Sequence, residues 1–190
     1  MRLSLLLAAP IAALGVARSA AAQGAAPARP AAAVASPVPS QALMLENIER
    51  SRQNVLKYVD AAPDSVLAFR LMPGVRTFGE QIEHAAGATT FIIAAAWKVK
   101  VPPPAMADSA ARRRQKPALR AFVNERYDSF AAAVRQASAS QLAAPAAYAG
   151  TTAAGWRWVD TALEHATWTL GQTVPYLRAN GVTPPQYLPF

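Results

Sequence analysis

"TFGEQIEHAAGATTFIIAAAW", residues 77–97, decides the fold. Thr77 stands three residues before Glu80, the spacing of a capping box, in which a threonine hydroxyl and a glutamate carboxylate satisfy the free N–H groups that open a helix. Behind that start, Phe78, Ile82, Ala85, Thr89, Ile92, Ile93 and Ala96 recur at three- and four-residue steps. This is the period of one helix face, so a helix is expected from Thr77 to Trp97. His84 falls near its middle, on the flank of the apolar stripe and not at its centre.

The same period recurs on both sides. Leu45, Ile48, Val55 and Val59 predict a first helix from Gln41 to Ala62, with Arg52 inside the stripe and expected to snorkel outward along its aliphatic stem. "AAPDS" and Pro73-Gly74 break the chain before the second helix. After it, "KVKVPPPAMADSAARRRQK" reads as a proline-broken connection with a short helix around Ala105 to Arg113. Its triple arginine, Arg112 to Arg114, with Lys116, reads as a solvated basic loop, with contact to lipid or polymer as the lesser reading. Pro117 opens a third helix with Leu119, Val123, Tyr127, Phe130 and Val134 as its buried stripe. A fourth runs from Thr152 to Asn180 and stops at Gly181 and Pro184-Pro185. Pro175 should kink it at Gly171, the residue four back whose carbonyl meets the proline ring. No alternating run suggests a strand. The expectation is an all-α four-helix bundle spanning residues 41–190, with ligand sites built from facing helices.

The residues before position 41 read differently. "MRLSLLLAAPIAALGVARSAAAQ" has an arginine, an apolar run and an A-x-A site at Ala20 to Ala22, so residues 1–22 read as a secretory signal peptide cleaved near Ala22. Pro10 and Gly15 interrupt the run, which is shorter than the roughly 20 residues of a membrane span. The mature form should therefore have no stable span. Residues 23–40, rich in proline and alanine, read as a disordered linker. A periplasmic or secreted location follows, and the absence of cysteine removes disulfides, thiolate nucleophiles and cysteine-bound metals from consideration. Net charge is +8 and falls to +6 without Arg2 and Arg18. For an exported chain this points to solubility, or to anionic lipid or wall polymer, and not to nucleic acid.

The candidate chemistry is sparse. The two histidines are His84 and His165, the second within "EHATWTLGQTVPYLRANGVTPP", residues 164–185. There His165, Thr169, Gln172 and Tyr176 form a polar line beside the apolar line of Val159, Ala162, Ala166, Leu170 and Val174. Glu80 and Gln81 lie one turn before His84, and Glu164 adjoins His165. If the two helices face each other, imidazoles, a carboxylate and an amide converge in one cleft. Phosphate loops, the G-x-S-x-G elbow and H-E-x-x-H are absent from the sequence.

"PGVRTFGEQIEHAAGA", residues 73–88, together with residues 164–185, resembles the DinB superfamily, which includes the YfiT-like metal-dependent hydrolases. The resemblance implies a four-helix bundle with three histidines around a divalent ion, one on the second helix and two on the last. Carried over, His84 matches the first ligand and His165 the second, with Gly171 and Gln172 matching the positions that follow. Thr169 stands where the third histidine belongs, and a neutral hydroxyl is a poor ligand for nickel or zinc. Any ion would need help from Glu80, Glu164, Gln172 or water. Two functional classes remain open: an exported hydrolase or thiol-transferase-like enzyme with a degraded or atypical metal site, its ion weakly held, or a metal-free bundle that binds a small molecule or protein partner. The C-terminal "QYLPF" is expected to fold back on the bundle or to cover the partner in a homodimer.

Overall fold

The computed structural model describes residues 37–189. The signal peptide and all of the linker but its last four residues lie outside the described residues. Four long helices carry the fold: α1 (Gln41–Ala61), α3 (Phe78–Trp97), α5 (Lys116–Gln136) and α7 (Gly155–Gly171). Short helices α2 (Asp64–Leu67), α4 (Ser109–Arg114), α6 (Ala139–Ala143) and α8 (Val174–Ala179) fill the connections. α3 packs on both α5 and α7, and α1 packs on α5 and α7, so the four enclose one core. The stripes named above supply it: Phe78, Ile82 and Ile93 of α3, and Leu119, Val123, Tyr127, Phe130 and Val134 of α5, are fully buried.

The capping box forms in full. Glu80 N–H donates to the Thr77 hydroxyl at 3.2 Å, and Thr77 N–H donates to the Glu80 carboxylate at 2.7 Å. Arg52 reaches the surface as expected and pairs with Glu49 at 3.2 Å and Asp128 at 2.8 Å. The C-terminal segment lies back on α1, where buried Asn54 exchanges two hydrogen bonds with the backbone of Leu188, at 2.8 and 3.0 Å.

Three expectations need correction. A two-stranded antiparallel hairpin, β1 (Pro145–Tyr148) and β2 (Thr151–Ala154), precedes α7, whereas no strand was expected and the last helix was placed from Thr152. Its strands are four residues each and nearly all alanine and threonine, too short and uniform for a period of two to show. The turn residues Ala149 and Gly150 both have positive φ, 49° and 76°, the signature of a type I′ turn without its usual asparagine. The last helix, expected to be kinked, is interrupted: α7 ends at Gly171, and α8 restarts with Pro175 in its first turn, where no N–H is needed. The arginine triplet is not a solvated loop. It lies in α4, and Arg112 is 6% exposed.

Candidate functional site

α3 and α7 run side by side, and their polar flanks meet. The imidazoles of His84 and His165 stack edge to face with ring centroids 4.9 Å apart and planes at 74°. One turn before His84 on α3, and just past the end of α7, Gln81 Nε2 donates to Gln172 Oε1 at 3.0 Å. Tyr176 follows, its hydroxyl donating to the Arg76 carbonyl at 2.6 Å. The polar line of the last helix thus faces the start of α3 and the loop before it. Thr169 is buried in α7 at 3% exposure, one turn after His165.

His84 also lines an open cleft of about 560 Å³, bounded by the α2–α3 loop, the outer face of α3, the α3–α4 connection and α4. His165 lies against His84 and not in the lining. Arg70, Arg76, Arg112 and Arg113 stand on the wall with Glu80 and Glu83, while Phe91 and Pro104 supply an apolar part. Both histidines are shifted below the ordinary value of 6.5. For His84 the causes are burial, then the positive charge of Arg76, then His165; for His165 they are burial, then Arg76. Both rings are accordingly neutral at neutral pH.

The carboxylates considered as auxiliary ligands or bases are used otherwise. Glu80 caps α3 and pairs with Arg70 at 3.2 Å and Arg113 at 3.6 Å. Its pKa is held down chiefly by the Thr77 N–H, so it is a poor base near neutrality. Glu164 is exposed on α7 and does not line the cleft. Gln172 is taken up by Gln81.

The donor set does not fit the three-histidine ion that the resemblance implies. Two imidazoles adjoin, the third position offers a buried hydroxyl, and no group of three or more histidine, aspartate or glutamate side chains suited to an ion occurs among the described residues. His165 Nδ1 is buried without a hydrogen-bond partner among the described residues. The charge of Arg76, felt at both rings, opposes a cation there as well.

Residue-by-residue reading missed two parts of this site. Glu83, one residue before His84, points toward α4 and bridges Arg112 and Arg113. Its signal was the arginine triplet, an excess of charge in need of a carboxylate. Arg76 carried no signal, since nothing in its spacing distinguishes it from a loop arginine.

A sequence profile described as the DinB superfamily matches residues 47–172. The fold is similar to the crystal structure of a DinB-like protein from Bacillus cereus ATCC 10987, with a TM-score of 0.61 over 76% of this chain and 95% of that one, at 17% sequence identity. No curated protein matches the sequence.

Proposed function

Because the chain belongs to the DinB superfamily, we propose that it is an exported four-helix-bundle member of it that binds a small molecule at the His84 cleft without relying on a resident metal. The observation that carries this reading is the donor set. Two neutral imidazoles 4.9 Å apart have a hydroxyl where a third imidazole would be needed and a guanidinium charge beside them. Of the two, His84 lines the cleft and can offer a hydrogen-bond donor or acceptor to a ligand there, while His165 backs it from α7, beside the Gln81–Gln172 hydrogen bond and the buried Thr169. Export rests on the leader pattern of residues 1–22, and among the described residues no helix is long and apolar enough to cross a membrane. Nucleic acid is not a proposed partner, and a homodimer through the C-terminal segment stays subordinate to its packing on α1.

A second reading is favoured by the closeness of the two rings: they hold a nickel, zinc or manganese ion weakly, and the protein hydrolyses or transfers a thiol-linked group. Restoring the missing ligand separates the two. Calorimetric titration of each ion into the wild type should give only weak binding, and Thr169→His should tighten it by roughly a hundredfold or more, in keeping with the worth of an imidazole in a zinc site. Saturable binding by the wild type that a His84→Ala, His165→Ala double variant loses would favour the catalytic reading.

A further inference from the structure

The small-molecule reading above leaves open what enters the cleft, and the charges on its wall narrow the choice. Four guanidinium groups face two carboxylates there. Arg70 is held by Glu80 at 3.2 Å, Arg112 and Arg113 are held by Glu83, and Arg113 also approaches Glu80 at 3.6 Å. Arg76 is exposed and has no carboxylate partner among the described residues, yet it lines the same cleft. With both imidazoles neutral, the wall carries an excess of positive charge, and its part without a carboxylate partner is Arg76, whose field reaches both rings.

The other end of the cleft is apolar. Phe91 is 62% exposed, and its ring is held edge to face against Tyr148 at 6.0 Å, so the aromatic face is set in place before anything binds. Ala88 and Pro104 continue that surface. Between the two ends lies Gly87, where an added Cβ would meet only the tip of Phe122 at 3.6 Å; the missing side chain leaves the floor low. The volume falls within the roughly 300–1,000 Å³ usual for small-molecule sites.

We propose that this cleft binds a small organic anion, its carboxylate or phosphate head on Arg76 and the His84 N–H and its apolar body against Ala88 and Phe91. This rests on the small-molecule reading and adds the ligand's chemical class. Guanidinium recognises both head groups through paired N–H donors, and loss of a charge-assisted hydrogen bond removes about tenfold or more in affinity.

The test is calorimetric titration of the mature chain at neutral pH with phenylacetate, phenyl phosphate and the neutral phenylacetamide. One or both anions should bind saturably, at least about tenfold tighter than the amide, and the better anion identifies the head group. Arg76→Met should weaken the anions by about tenfold and leave the amide unchanged. Gly87→Leu should abolish binding of all three with an undiminished melting temperature, which separates a filled cleft from an unfolded protein. Equal affinity for amide and anions, anion binding indifferent to Arg76→Met, or no binding of either anion at millimolar concentration would overturn the proposal. Anion binding that survives Gly87→Leu would instead place the site elsewhere and remove the cleft reading beneath it.

Discussion

A Cβ added at Gly79 would come within 2.2 Å of the Arg113 carbonyl oxygen, whereas one added at Gly87, two turns along the same helix, would make an ordinary contact with Phe122. The first glycine is required by the approach of α4's backbone, and a collision with backbone has no side chain to yield. Gly79→Ala should therefore cost about 3 kcal/mol or more in urea denaturation. Gly87→Ala should stabilise by about 0.5–1 kcal/mol, because alanine restricts the unfolded chain and suits a helix interior. The two have the same residue type on one helix, and only the neighbour of each tells them apart, so the sequence could not. Glu80 shows the reverse. Its capping role was legible from its distance to Thr77, and that role is what disqualifies it as a base. Its folded pKa lies below the ordinary 4.5, so its contribution to stability is present above that value and is lost as pH falls through the lowered folded value. Glu80→Gln should flatten the acid limb of a stability-against-pH curve below pH 4.5, and an unchanged limb would show that the carboxylate contributes nothing through this linkage.

At the scale of elements, α4 is tied to α3 by one carboxylate. Glu83 accepts from both Arg112 and Arg113, and the buried Arg112 guanidinium also lies 4.9 Å from the centre of the Phe122 ring. Removing the carboxylate leaves a charge buried with its main partner gone, and Glu83→Gln should cost about 3 kcal/mol in urea denaturation. It should also loosen α4 and the cleft wall, seen as faster amide exchange at residues 109–114. Legibility differed sharply among the elements. α3 and α5 were readable because each buries a continuous stripe at helical period and opens with a recognisable cap or proline. The β1–β2 hairpin was not, since its pairing is set by a turn at Ala149-Gly150 and by Tyr148 wedged between Phe91 and Trp158. The contact with Phe91 joins residues far apart in the sequence. The break between α7 and α8 was half legible: Pro175 marked the place, but whether a helix bends or restarts depends on the packing of Tyr176 and Leu177 beneath it.

For the whole molecule, the mostly helical fold followed from the pattern of the long helices, and membership of the DinB superfamily from two short segments on facing helices. The site was legible in part for the same reason. His84 and His165 sit at corresponding positions on α3 and α7, so packing those helices side by side brings the rings together. The charged cleft beside them was not, because Arg70, Arg76 and the α4 arginines come from separate connections that converge only once α4 has docked. The proposed reading rests on the buried hydroxyl of Thr169 one turn after His165, where the resemblance implies a third imidazole, together with a positive wall beside His84. The most direct measurement of that claim is elemental analysis of the mature, untagged protein by mass spectrometry, before and after incubation with nickel, zinc and manganese, beside a His84→Ala, His165→Ala double variant. The account predicts substoichiometric metal in both proteins and no difference between them. One equivalent of an ion in the wild type that disappears in the double variant would contradict it and return the site to metal-dependent catalysis.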